Sequence, residues 1–336
     1  AIAVVSIVLA AAIAVVRVEL GAWVTAVMVV VELSVLTIVT VAAFLHPHQS
    51  LVDVTLRPVV LDAGGLEPVT LAIMLATLAP AFNVINGYDA TLGFAEELMG
   101  GARAVARAVV AAAVLAAVLI IIPLTAALLA APDLRVFFQS SAPVVYTVQA
   151  ALGPSAGVLV DLGVCIALFN AMLALFMYFA RVFYTTGRDR VWWRGANRWL
   201  ATLNRFQVPA AGVLVLSALA VVLVFVSALD WLIIFAGTIT TTVYFFVGIA
   251  ALRGRVADPD RPRPYRMPLW PLPPIVVVLF TGFALVTQQA QYLVGEGVLV
   301  AAALGFWALW RYRWRPAAAS AAPASAAVAV ASDGEP

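Results

Sequence analysis

Nine apolar runs dictate what this chain can fold into. They lie at roughly 1–16, 21–45, 70–98, 104–131, 155–180, 208–229, 231–252, 273–292 and 294–310. A bilayer core of about 30 Å is crossed by about 20 apolar residues in a helix. Eight runs meet that length or come close. The first has 16 residues, no initiator Met and no basic flank, and at about 1.5 Å per residue it falls short of a crossing. It reads as a chain that begins inside a helix, an N-terminally truncated fragment. A secretory signal would show a charged start and a cleavage site, and neither is present. The residues between the runs do not compensate: 65% of the chain is hydrophobic, 11% is charged, and mean hydropathy is +1.07. A water-soluble globule is excluded, since such domains carry about 25% charged residues. Alternation with a period of two is absent, which excludes a membrane β-barrel. The fold class is an all-α integral membrane protein.

Residue types narrow the chemistry. All 19 basic residues are Arg, so there is no Lys to cradle a nucleotide phosphate or to form a Schiff base. The single Cys165 excludes a disulfide framework or a cysteine zinc site, and two histidines make a haem bundle improbable. A net charge of +2 gives nucleic acid nothing to hold. No cofactor and no metal is expected. Alternating the connecting segments across the membrane puts seventeen arginines on one side, leaving Arg57 and Arg135 on the other. Arginine-rich loops face the cytoplasm, so the C-terminus is expected inside, in a plasma membrane of bacterial inner-membrane type. Residues 1–315 read as the membrane domain. Residues 316–336, rich in Ala, Pro and Ser, read as a disordered cytoplasmic tail.

Charged groups inside spans cost about 2.5–3.5 kcal/mol each on insertion scales and mark function by default. Glu32 lies in an apolar run about 18 Å along its helix, close to the midplane. It is either a structural carboxylate paired to another helix or a functional group. The stretch Phe82-Asn83-Val84-Ile85-Asn86-Gly87-Tyr88-Asp89 weakens a helix, because Gly adds backbone entropy and Asn competes for backbone groups. Such a weak point survives in lipid only where it lines a cavity; the bland alternative is a packed Gly beside a solvated Asp. Asp161 faces either a vestibule or headgroups, and Asp230 reads as a helix cap. Glu96 and Glu97 near Arg103 and Arg107 make either an ion-pair latch or a plain interfacial cluster. His46-Pro47-His48 is a poor metal site and reads as loop. Gly237-Thr238-Ile239-Thr240-Thr241-Thr242 either glues helices or lines a pathway. Trp192, Trp193 and Trp199 with their Arg neighbours read as an interfacial linker.

Three stretches in order carry a resemblance. The first is Gly87-Tyr88-Asp89-Ala90 with Ala95-Glu96-Glu97, Arg103 and Arg107. The second is Asn170 with Arg181, Tyr184, Arg188-Asp189 and Pro209. The third is Arg263-Pro264-Tyr265-Arg266 with Pro268, Pro271 and Pro274. Over nearly all of residues 1–315 the chain resembles the amino acid–polyamine–organocation transporter superfamily. The resemblance implies spans four to twelve of a twelve-span fold, a five-plus-five inverted repeat of the leucine-transporter type. Spans one to three, with the glycine-rich break of the first, would then lie outside this chain. The family's sixth-span break would fall at Asn86–Asp89, where half-helix ends meet a small zwitterion. Asn83, Asn86, Gly87, Tyr88, Asp89 and Asn170 are thereby candidates for substrate binding. Glu32, and Asp89 second, are candidates for proton coupling, since a carboxyl group there can hold a proton in one state and release it in another. Ala106 stands where the family usually has Pro.

The function expected is secondary active transport of an amino acid or related amine, proton-coupled, by alternating access. The partners are then the lipid bilayer and that small molecule, and the coupling ion is H+. The alternative is a non-transporting remnant or membrane scaffold of the same fold. An intramembrane enzyme would need a facing carboxylate pair, a serine–histidine pair or a metal cluster, and the residues supply scattered single carboxylates instead.

Overall fold

The computed structural model describes residues 2–311 apart from 17, 63, 95–100, 227, 261–262 and 264. The expected disordered tail therefore lies outside the described residues. The chain opens with α1 (Ile2–Val16), α2 (Val18–Leu45) and the short α3 (Leu51–Thr55). A hairpin follows, β1 (Val59–Asp62) against β2 (Gly65–Pro68), antiparallel with Val59 opposite Pro68 and Asp62 opposite Gly65. The third apolar run is not one helix but three pieces: α4 (Leu71–Ala76), α5 (Leu78–Ile85) and a 3₁₀ helix (Tyr88–Phe94). Then come α6 (Gly101–Ala130), α7 (Leu134–Gln139), α8 (Pro143–Leu152), α9 (Pro154–Arg188) and α10 (Arg194–Leu200). The last four are α11 (Ala210–Val226), α12 (Leu229–Ala257), α13 (Leu272–Val286) and α14 (Ala290–Leu309). Among the described residues every expected apolar run is mainly helical. The unexpected elements are the hairpin and the small helices α3, α7, α8 and α10, all outside those runs.

The long helices bury little of themselves against protein. Of the most apolar 18-residue stretch, 6% is buried in α6 and 22% in α9. The remaining apolar surface includes Leu168 and Phe246, both exposed, and only hydrocarbon can solvate so much of it. With no hydrophobic drive between helices in lipid, association rests on close packing of small residues. The α1–α9–α11 core is built that way, from Ala10, Ala11, Ala14, Ala180 and Val213 around Leu173 and Phe176. Gly212 is its tightest point: a Cβ there would lie 2.7 Å from Ala180 Cα and 2.8 Å from Ala180 O. Backbone cannot move aside as a side-chain tip can. Gly212→Val is expected to push α11 off α9 and cost about 2 kcal/mol by overpacking. Gly305→Val, where a Cβ meets nothing within 4 Å, is the control. Thermal denaturation in detergent reads the difference, and equal melting temperatures would refute the packing argument.

The α9 helix is the hub, contacting α1, α2, α8, α10 and α11 as well as the 3₁₀ helix. α2 runs antiparallel to it, with Gly21 against Met177 at one end of the seam and Gly163 against Val35 at the other. On the far side α12 packs on α13, α5 and α14. In the threonine run of α12, Thr238 and Thr241 are fully buried, and Thr241 donates within its own helix to Gly237 O at 2.7 Å. Ala228 holds the N-cap position, and Asp230 lies inside the first turn of α12.

Candidate functional site

Two polar clusters stand out in the bundle. The first is the break between α5 and the 3₁₀ helix. α5 ends at Ile85, and Asn86 leaves it in an extended conformation (φ −63°, ψ 155°). Gly87 follows at φ +112°, a backbone region that costs residues with a Cβ heavily and glycine almost nothing. Asn86 competes for backbone as its side chain allows: Oδ1 accepts from Gly87 N at 2.9 Å, replacing a helical bond lost at the break. One turn earlier, the half-buried Asn83 accepts from Asn86 N through its carbonyl at 3.2 Å. The weak stretch expected at Asn86–Asp89 is therefore where the helix breaks.

Aromatic rings cover the break. Tyr244 of α12 donates its hydroxyl to Asn86 Oδ1 at 3.1 Å. Its ring stacks on Tyr88 at 6.3 Å between centroids and meets Phe82 edge-on at 6.5 Å. Asp89, half-buried in the first 3₁₀ turn, lies within electrostatic reach of Tyr244 and of Tyr178 on α9. Beside the break is a cavity of ≈ 530 Å³, walled by Phe82, Ile85, Tyr88, Tyr244, Phe280 and Thr281 among others. Its walls are almost wholly apolar.

The second cluster lies on the α2–α9 seam. Asn170 is 5% exposed and donates from Nδ2 to Glu32 Oε2 at 3.3 Å. Asn170 Oδ1 is buried and accepts no hydrogen bond among the described residues, and the same holds for the Thr25 hydroxyl. Thr25 precedes Glu32 by about two helical turns, on the same face. Unsatisfied buried acceptors are uncommon and call for a physical reason. Here an amide presents both a donor and an acceptor next to a carboxyl group. Glu32 and Asn170 are thus brought together, while the break residues form a separate cluster. The α9 residue in reach of Asp89 is Tyr178, about 12 Å further along the helix than Asn170.

The remaining candidates divide. Glu96 and Glu97 lie outside the described residues. Arg103 and Arg107 sit exposed in the first turns of α6, on a cavity shared with Arg263, Tyr265 and Arg266. Two residues with no role in the sequence reading emerge. Tyr244 carries no signal in an apolar span. Glu296 is 7% exposed on α14 and lies beside the Thr242 hydroxyl of α12. Its signal was available, as the sole carboxylate of Gly295-Glu296-Gly297, but a boundary set at 293 puts it near a span end. In the structure α13 ends at Val286 and α14 starts at Ala290, which moves Glu296 inward.

A helix interrupted in the middle of an apolar run, roofed by an aromatic side chain from a second span, is an arrangement that suits binding of a small polar molecule within the membrane. Among curated proteins no match is found. The family pattern for amino acid permeases, by contrast, matches residues 1–309, which takes in both clusters and all nine apolar runs. The chain belongs to the amino acid permease family.

Proposed function

We propose that this protein moves an amino acid or related amine across a plasma membrane by alternating access, driven by protons. Its family makes it a membrane transporter of small molecules; the substrate class, the coupling and the mechanism are our reading. The observation that carries it is the break at Asn86–Gly87 under Tyr244. The C-terminal end of α5 bears partial negative charge from its unpaired carbonyls, which suits an ammonium group. The aromatic cavity alongside suits the apolar part of the substrate. On this reading Tyr88 and Tyr244 gate it, and Asn83 and Asp89 near the break supply polar contacts.

Proton coupling is assigned to Glu32 with Asn170. The ionised carboxylate takes the amide N–H. A protonated carboxyl donates instead, and the Asn170 carbonyl, idle in this structure, can accept it after the amide turns over. One side chain thereby serves both protonation states. The arginine distribution supports a cytoplasmic C-terminus.

The test is uptake of radiolabelled amino acids into proteoliposomes holding the full chain, with an imposed inward proton gradient. Gradient-stimulated uptake is expected. Absence of uptake for every amino acid and amine offered would favour the non-transporting scaffold. Tyr244→Phe supplies a finer test, since it removes one hydrogen bond to Asn86 worth about 1 kcal/mol. It is expected to raise KM about fivefold; an unchanged KM would take Tyr244 out of the site.

A further inference from the structure

The family and the transport reading leave one feature unused: a cationic cavity at the arginine-rich face. It has a volume of ≈ 490 Å³ and is walled by Arg103, Arg107, Arg263, Tyr265 and Arg266. Arg103 and Arg107 are one turn apart at the start of α6. The other three come from the segment joining α12 to α13. Arg263 is a fixed part of the wall, because its guanidinium caps the end of α12, donating to Pro259 O at 3.0 Å, Gly254 O at 3.1 Å and Asp258 O at 2.6 Å. Arg107 and Arg266 are exposed, and among the described residues neither has a hydrogen-bond or ion-pair partner. Like charges gathered in one concavity repel, and that cost is recovered when an anion sits between them. Guanidinium forks bind phosphate oxygens in pairs, and the Tyr265 hydroxyl adds a neutral donor.

Depth identifies the source of the phosphate. α6 has 30 residues, about 45 Å at 1.5 Å per residue, against a hydrocarbon core of about 30 Å. Its first turns therefore project into the headgroup layer, and Arg103 and Arg107 are in them. Trp270, which stacks under Arg255 at 4.1 Å, borders the same segment as an interfacial aromatic. Basic pockets between spans on the cytoplasmic side suit anionic headgroups, where such lipids are concentrated.

We propose that this cavity binds the phosphodiester headgroup of an anionic phospholipid, tying α6 to the α12–α13 segment. The inference stands independently of the substrate and of proton coupling.

The test uses the purified full chain in neutral detergent, titrated with phosphatidylglycerol or phosphatidylcholine, with bound lipid counted by native mass spectrometry. Phosphatidylglycerol is expected to be retained at least about thirtyfold more tightly, the difference two or more guanidiniums make to an anionic lipid. The Arg107→Gln, Arg266→Gln double variant is expected to lose about thirtyfold, at the same energy per arginine, while Arg194→Gln on α10 changes nothing. Should the double variant fail to fold, Arg107→Lys with Arg266→Lys keeps the charge but not the fork, and is expected to lose about threefold. Equal retention of the two lipids, or full preference in the variants, overturns the proposal. So does inorganic phosphate that displaces phosphatidylglycerol as strongly as the lipid binds, which would make this a site for a soluble anion.

Discussion

Glu32→Gln is expected to abolish concentrative uptake while leaving exchange of substrate for substrate intact. An inward gradient of one pH unit supplies about 1.36 kcal/mol per proton carried, enough to accumulate substrate about tenfold. A glutamine has nearly the shape of a protonated glutamate, and its carbonyl still accepts from Asn170 Nδ2, so the α2–α9 seam keeps this interhelical bond. What it cannot do is release a proton. Accumulation should therefore fall to about the equilibrium level, with the pH dependence of uptake flattened, while binding and exchange persist. Full accumulation in the variant would make Glu32 a structural carboxylate and turn attention to Asp89. Asn170→Leu separates the two roles. It strands Glu32 without its donor, which costs about 1–3 kcal/mol in a buried setting, and so should lower the melting temperature as well as coupling.

The second large effect is expected at Gly87. A Cβ added there meets nothing within 4 Å, so a substitution tests the backbone without a packing clash. At φ +112° a β-branched residue is strained by about 1–3 kcal/mol. Gly87→Val should escape that strain by drawing Asn86 and Tyr88 back toward helical geometry, which moves Asn86 Oδ1 away from Tyr244. With about 2 kcal/mol against the broken form, its population falls about thirtyfold. Transport should fall in proportion, and Gly87→Ala should fall less. Transport at the wild-type rate in Gly87→Val would show that the break is not needed for function. Melting temperature serves as the second readout, since a mere packing defect would lower both together.

How far these sites could be read beforehand depended on the range of the forces involved. The spans were legible because each must satisfy its backbone hydrogen bonds within itself in lipid. That is a local demand, written into twenty consecutive residues. The break at Asn86–Gly87 was legible for the same reason, since two helix-weakening residues side by side act on their own turn. The pairing of Glu32 with Asn170 was not. Each residue stood out alone, but 138 positions separate them, and they meet because Gly21 and Gly163 let α2 and α9 approach. Tyr244 gave no sign at all: an aromatic residue in an apolar span is ordinary until a partner with an acceptor faces it.

Glu296 and the arginine cavity mark the same divide. A carboxylate between two glycines is visible in one dimension, yet its meaning changes with a boundary shift of a few residues, and α12 packing against α14 sets its depth. Arg103 and Arg107 were read toward Glu96 and Glu97, their neighbours along the chain. The structure adds Arg263 and Arg266, from the segment after α12, to the same cavity. Composition and periodicity determine which segments enter the membrane, because transfer into lipid is a sum over local residues. Which polar groups face one another depends on how the helices pack, and that follows from small residues distributed over the whole bundle.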